Sequence, residues 1–281
     1  MRNRTPEGVP KTTVQVAIAA CYIIVWAWSP FFVQAQAPAC PEARPSEDEL
    51  TQIRNAGRWL ALYEIVCNRT DDALAAAGAS IERGPCLAQR TGAGWSVTYG
   101  QWRNEGFEQR AVVRLNSSRE VTDVDTTAST VREGWAYEFE RAASVGRSEA
   151  QNKLGALTES HAYGVIVAAY PWHDTVLTTY VFPDPENETV LGGDVRVEVD
   201  ADTGSILGSQ RLHNEVIPMS GSPQNARASV STAVRTCVPT ETDVFMVLRR
   251  EPRIPHIVVA EAWIYGIEPN GEVKVLRRRE E

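Results

Sequence analysis

The chain has 281 residues, with 28 Lys and Arg against 36 Asp and Glu, a net charge of −8. That balance excludes a polyanion-binding face. Nucleic-acid affinity draws on released counterions and needs clustered cations, and only the short Arg277-Arg278-Arg279 tail, followed by two glutamates, offers any.

The N-terminus reads as an export signal. Arg2, Arg4 and Lys11 form a basic leader, residues 14–33 are apolar, and Ala35-Gln36-Ala37 has the small-x-small form of a cleavage site. Residues 1–37 are therefore expected to be a signal peptide, with cleavage before Pro38. Left uncut, the apolar run is long enough to anchor the chain. Cleavage removes three cations and one acid, so the charge of the mature chain moves from −8 to about −10. The mature chain is expected to be periplasmic or extracellular, with no stable membrane insertion.

Export sets the redox context. Cys21 leaves with the signal, and Cys40, Cys67, Cys86 and Cys237 remain. An even count in an oxidising compartment implies two disulfides with three possible connectivities. Residues 46–67 read as one helix, about 30 Å long at 1.5 Å per residue. The six residues back to Cys40 reach only about 20 Å. Cys40–Cys67 is thus disfavoured unless the helix breaks at Gly57. Cys67–Cys86, closing a helical hairpin, leaves Cys40–Cys237. The cysteines lack paired C-x-x-C spacing, so neither a zinc site nor any other metal or cofactor is called for.

Residues 38–90 are expected to be a disulfide-stapled helical hairpin. Ser46 and Glu49 form a capping box, Leu50, Ile53, Gly57 and Leu60 follow at helical spacing, and Asp71-Asp72 opens a second, Ala-rich helix. From Trp95 the period changes to two. Trp95, Val97 and Tyr99 alternate with Ser96 and Thr98, and Phe107, Ala111, Val113 and Leu115 with charged residues, which argues for antiparallel strands. Strands are also expected at Val121–Val124. A helix is read at 144–157, then strands at 163–170 and 176–182. Val195, Val197 and Val199 alternate with Arg196, Glu198 and Asp200. Residues 91–217 form an antiparallel α+β domain, 218–230 a linker, and 231–281 a β-hairpin region that includes strands at Val244–Leu248 and 257–267. The fold class is α+β, built of antiparallel meanders, with two or three repeated helix-plus-hairpin units.

The string Asp200-Ala201-Asp202-Thr203-Gly204-Ser205 admits three readings. An aspartic protease needs two paired carboxylates, and the chain holds one Asp-Thr-Gly. A calcium loop from Asp200 would want Gly at position six and Glu at twelve, where Ser205 and Arg211 stand. A tight turn wants Asp and Gly, and that reading is preferred. His161, His173, His213 and His256 are scattered with no i, i+4 pair, and no serine-hydrolase or zinc-protease motif occurs. Trp102 in QWRNEG and Trp172 in PWHD are the candidate exposed binding aromatics.

The stretch 147–212, with RSEAQNKLGAL, YGVIVAAY, TVLTTYVF and VRVEVDADTGSILG, resembles a PepSY-type module of the kind found in protease propeptides and envelope proteins. The resemblance implies a small exported α+β unit that binds or inhibits, with no catalytic residues. The expected function is a non-enzymatic inhibitor, immunity or accessory protein whose partner is another exported protein. The alternative is an exported hydrolase with Asp202, His173 and Asp174 brought together by the fold.

Overall fold

Ser46 accepts a hydrogen bond from the Glu49 N–H and starts a helix that runs unbroken over Glu47–Ala76 (α1). The computed structural model describes residues 40, 43–79, 85–103, 106–155, 162–170, 175–184, 190–213, 215–218, 226–232 and 235–279, all within one compact unit, Cys40–Glu281. The expected signal peptide and its cleavage site lie outside the described residues. Among the described residues no helix is long and apolar enough to cross a membrane.

The fold is mixed α+β with three helices among the described residues. After α1 come β1 (Leu87–Thr91), β2 (Gly94–Arg103), β3 (Gly106–Asn116) and β4 (Val121–Asp125), an antiparallel meander, with β5 (Ser129–Val131) pairing the far end of β3. Helix α2 (Trp135–Leu154) precedes β6 (Tyr163–Ala169), β7 (Val176–Pro183), β8 (Val190–Gly192), β9 (Val195–Asp200) and β10 (Ile206–Arg211). Four of these make a second sheet in the order β10-β9-β7-β6, and β8 pairs instead with β11 (Val216–Pro218). Then come β12 (Ser229–Ser231), α3 (Glu241–Arg249), β13 (His256–Val259), β14 (Trp263–Ile267) and β15 (Val273–Arg278). The last sheet runs β12-β13-β14-β15, with β12 and β13 parallel.

Three apolar clusters hold these layers. Leu60, Tyr63 and Val66 of α1 meet Trp95, Val97 and Val113 of the first sheet and Ile166, Tyr180 and Phe182 of the second. Helix α2 covers the opposite face of the second sheet through Phe139, Ala143 and Leu154 against Val181, Val195, Val197 and Val199. Val244 and Val247 of α3 pack with Leu50 of α1 onto Val258, Tyr265 and Ile267. The disulfides join Cys40 to Cys237 and Cys67 to Cys86, with Cα atoms 5.3 and 6.0 Å apart.

Four local readings of the sequence need correction. The N-terminal helical hairpin is one helix: Asp71 and Asp72 fall inside α1 on its exposed side, and Cys67–Cys86 ties that helix to the chain entering β1. Val244–Leu248 is helix, not strand. Its continuous apolar run does not distinguish the two, but Thr240 and Asp243 form a capping box that commits it. Helix α2 begins at Trp135, well before the expected start. Of the expected linker 218–230, Ser229–Val230 belong to β12.

Helix α1 does not break at Gly57, and the residue has another role there. A Cβ at Gly57 would lie 2.5 Å from the Val244 Cβ and 2.6 Å from the Glu241 carbonyl, so the missing side chain lets α3 seat directly on α1. Gly57→Ala is therefore expected to lower stability by about 1–2 kcal/mol, the overpacking outweighing the roughly 1 kcal/mol gain in helix propensity. Thermal unfolding by circular dichroism reads this, and a variant as stable as wild type would contradict the close seating.

Candidate functional site

The register of the second sheet lines up polar residues from three strands. Tyr180 on β7 pairs with Arg196 on β9, which pairs with Gln210 on β10. The adjacent row is Thr178, Glu198 and Gly208. Side chains alternate across a sheet, so these rows share the face turned away from α2, while Val195, Val197 and Val199 point into the α2 core. On the β6–β7 half that face is sealed by α1 and α3. Among the described residues the β9–β10 half stays open.

The open half is the floor of a cleft of about 370 Å³. Its walls are Gln52, Ile53 and Ala56 of α1, the segment Thr236–Pro239 beside the Cys237 disulfide, and the N-terminus of α3. A second hollow of about 330 Å³ shares Arg196, Glu198 and Gln210 and continues along β10 to Ser209. One hydrogen-bond chain crosses the floor. The Tyr170 and Tyr180 hydroxyls lie 3.1 Å apart, Tyr180 donates to Glu241 Oε1 at 2.9 Å, and Arg196 donates to the same oxygen at 2.8 Å. The other arm of Arg196 donates to Gln210 Oε1 at 2.9 Å. Burial and the nearby Glu241 charge push the Tyr180 hydroxyl well above its ordinary pKa, so it stays a neutral donor.

Glu241 is placed by a buried clamp next to it. His213, fully buried, lies with Nδ1 2.6 Å from Asp194 Oδ1 and Nε2 3.0 Å from Asp243 Oδ1. Asp194 immediately precedes β9, His213 follows β10, and Asp243 is in the first turn of α3. Burial opposes a charge on His213, but the Asp194 and Asp243 carboxylates outweigh it and raise the imidazole well above its ordinary value. Burial also opposes ionisation of Asp243, yet His213 and the Thr240 N–H hold its carboxyl below the usual range. Thr242 donates to the second Asp194 oxygen, and the Thr240 N–H to the second Asp243 oxygen at 2.7 Å. With both ring nitrogens bound to carboxylates, His213 has no lone pair free to act as a base.

His256 is also buried, with Nδ1 2.7 Å from Ser229 Oγ and Nε2 3.0 Å from Ser231 Oγ. Burial, reinforced by the Arg250 and His213 cations, outweighs Asp243 and lowers it to about 4. Arg250 donates to Ser229 as well, at 2.6 Å. This group fastens β12 to β13 and the turn after α3.

Of the residues singled out in the sequence, Trp102, Asp200 and Asp202 fall among the described residues. Trp102 is 39% exposed and stacks on Tyr137 with centroids 5.0 Å apart, and Arg141 lies over the same tyrosine. Trp172, His161, His173 and Asp174 lie outside the described residues. Asp200 and Asp202 sit in the β9–β10 hairpin. Asp200 Oδ1 accepts from the Thr203 N–H at 2.7 Å and its hydroxyl at 2.8 Å, Gly204 takes φ +73°, and Arg141 donates to the Asp202 carbonyl at 2.9 Å. Those Thr203 bonds lower the Asp200 pKa. Among the described residues no group of three or more His, Cys, Asp or Glu could hold a metal ion.

The clamp has a defined pH window. His213 is raised above 6.5, so its contribution is whole below that pH and is lost as pH rises through the folded value. Asp243 is lowered below 3.8, so its contribution is whole above that pH and is lost as pH falls through the folded value. His256, lowered from 6.5 to about 4, adds a second loss as pH falls between them. His213→Gln is expected to cost about 3–5 kcal/mol near pH 6, because it leaves two buried carboxylates without their cation. It should also flatten the alkaline side of the stability curve, and urea unfolding from pH 4 to 9 reads both. An unchanged alkaline limb would contradict a charged His213.

Comparisons with protein-family models, with curated proteins and with solved structures each found no match to the chain.

Proposed function

We propose that the chain is an exported, non-enzymatic protein that binds or inhibits another exported protein, as an inhibitor, immunity or accessory protein does. The observation that carries this reading is a polar cleft next to a strand edge that no other strand pairs among the described residues. β10 is the edge strand of the second sheet, paired with β9 on one side and with no strand on the other among the described residues. At that edge Ile206 is 45% and Leu207 56% exposed. An edge of this kind receives an extended segment by strand addition, main-chain bonds giving affinity and side-chain pockets giving specificity. Two disulfides fit an oxidising compartment, and the N-terminal export signal is the basis for placing the chain outside the cytoplasm.

The order from α2 through β10 is a helix, the β6–β7 pair, the short β8 and the β9–β10 hairpin, and the PepSY-type resemblance of 147–212 is part of this proposal. α1 also precedes the first meander and α3 the β13–β15 meander, although β12 comes before α3; this order is the support for reading the molecule as variants of one helix-plus-meander unit.

A photo-crosslinking residue at Leu207 in the producing cell is expected to trap one defined envelope or secreted protein, with a control at Val121 trapping none. Leu207→Asp is expected to weaken retention of that partner at least tenfold. Equal trapping from both positions, or steady turnover of a substrate by the isolated chain, would overturn the proposal.

A further inference from the structure

The geometry points to the cleft beside α1, β9 and α3 as a receptor for one lysine or arginine side chain, presented by an extended segment of the partner. This deepens the proposed binding function and rests on it for the source of the side chain.

The floor carries an unused acceptor. Glu241 is only 5% exposed. Its Oε1 receives both Tyr180 and Arg196, whereas Oε2 receives no hydrogen bond among the described residues, and Glu241 lines the cleft. Glu198 and Glu49 also line the cleft. Three carboxylates thus face one guanidinium, an excess of negative charge.

Arg196 does not turn the cleft into an anion site. One arm is bound to Glu241 and the other to Gln210. Burial weakens its hold on its proton, but Glu241, Tyr180 and Glu198 strengthen it more, so it stays a neutralised structural cation. What is left unsatisfied is acceptor capacity, which suits an ammonium or guanidinium donor. The apolar part of the lining, Ile53, Ala56, Val238 and Pro239, suits the aliphatic stem that such a side chain buries while its head stays polar.

The location fits an extended ligand. A strand added to β10 would continue the row Tyr180–Arg196–Gln210, and every second side chain would point to the cleft face. The chain's net charge of −8 favours approach of a basic segment.

Capped Ala-Arg-Ala and Ala-Lys-Ala peptides, their citrulline and norleucine counterparts, and free arginine can be titrated into the isotope-labelled full chain and followed by NMR. The two basic peptides are expected to shift the amides of 196–198 and 208–210, and the neutral ones to leave them in place. Glu198→Gln and Glu49→Gln, both away from the buried clamp, are each expected to weaken binding about three- to tenfold. Citrulline peptide binding as well as arginine peptide, unchanged binding in both variants, or no shift with any basic peptide would overturn the assignment. Tighter binding of free arginine than of the capped peptide would overturn the partner segment as its source. If the peptides fail while Leu207 still crosslinks a partner, the cleft assignment falls and the binding function stands; if both fail, both fall.

Discussion

The cleft depends on a single buried imidazole. His213 joins Asp194 at the start of β9 to Asp243 in the first turn of α3. That link, together with Thr242 on Asp194, holds the α3 N-terminus over the second sheet, where Glu241 reaches Arg196 and Tyr180. Such an arrangement is not an inexpensive source of stability, because desolvating the ions offsets much of their attraction. Its value is positional. The remaining acceptor sites are taken by Thr240 and Thr242, and the helix N-terminus adds positive partial charge beside Asp243. The same residues therefore cap α3, satisfy the carboxylates and aim Glu241.

Two other constraints support the placement from outside the cluster. The absent side chain at Gly57 lets α3 lie directly on α1, which fixes how far the α1 wall stands from the sheet floor. The Cys40–Cys237 bond anchors the segment that supplies Val238 and Pro239 to the cleft, and Tyr265 holds the Cys237 carbonyl at 2.9 Å. At Gly146, a Cβ would lie 2.3 Å from a Thr179 methyl, so α2 approaches the opposite face of the sheet just as closely. The sheet is thus held from behind by α2 and left partly uncovered in front.

The sheet was legible in the sequence because it is encoded locally. The alternation of Val195, Val197 and Val199 with Arg196, Glu198 and Asp200 already separates a core face from a polar one, and the polar one became the cleft floor. The Asp-Thr-Gly string was legible as a turn for the same reason, since Asp200 bonds within three residues. The clamp was not legible. His213 looked like one of four scattered histidines because its partners lie 19 and 30 residues away, a proximity no short-range pattern records. Helix α3 was hidden by its apolar run, although Thr240 and Asp243 carried a readable cap. The acidic pair at Asp71-Asp72 imitated a helix start because it sits on the exposed side of a longer helix.

The central claim is that His213 is a charged imidazolium held between two carboxylates, and ring ¹⁵N NMR tests it directly. At pH 7.5, above the ordinary histidine value of 6.5, the account predicts that Nδ1 and Nε2 of His213 both carry protons. A neutral ring at that pH, with one nitrogen unprotonated, would contradict it and leave the α3 N-terminus without its clamp.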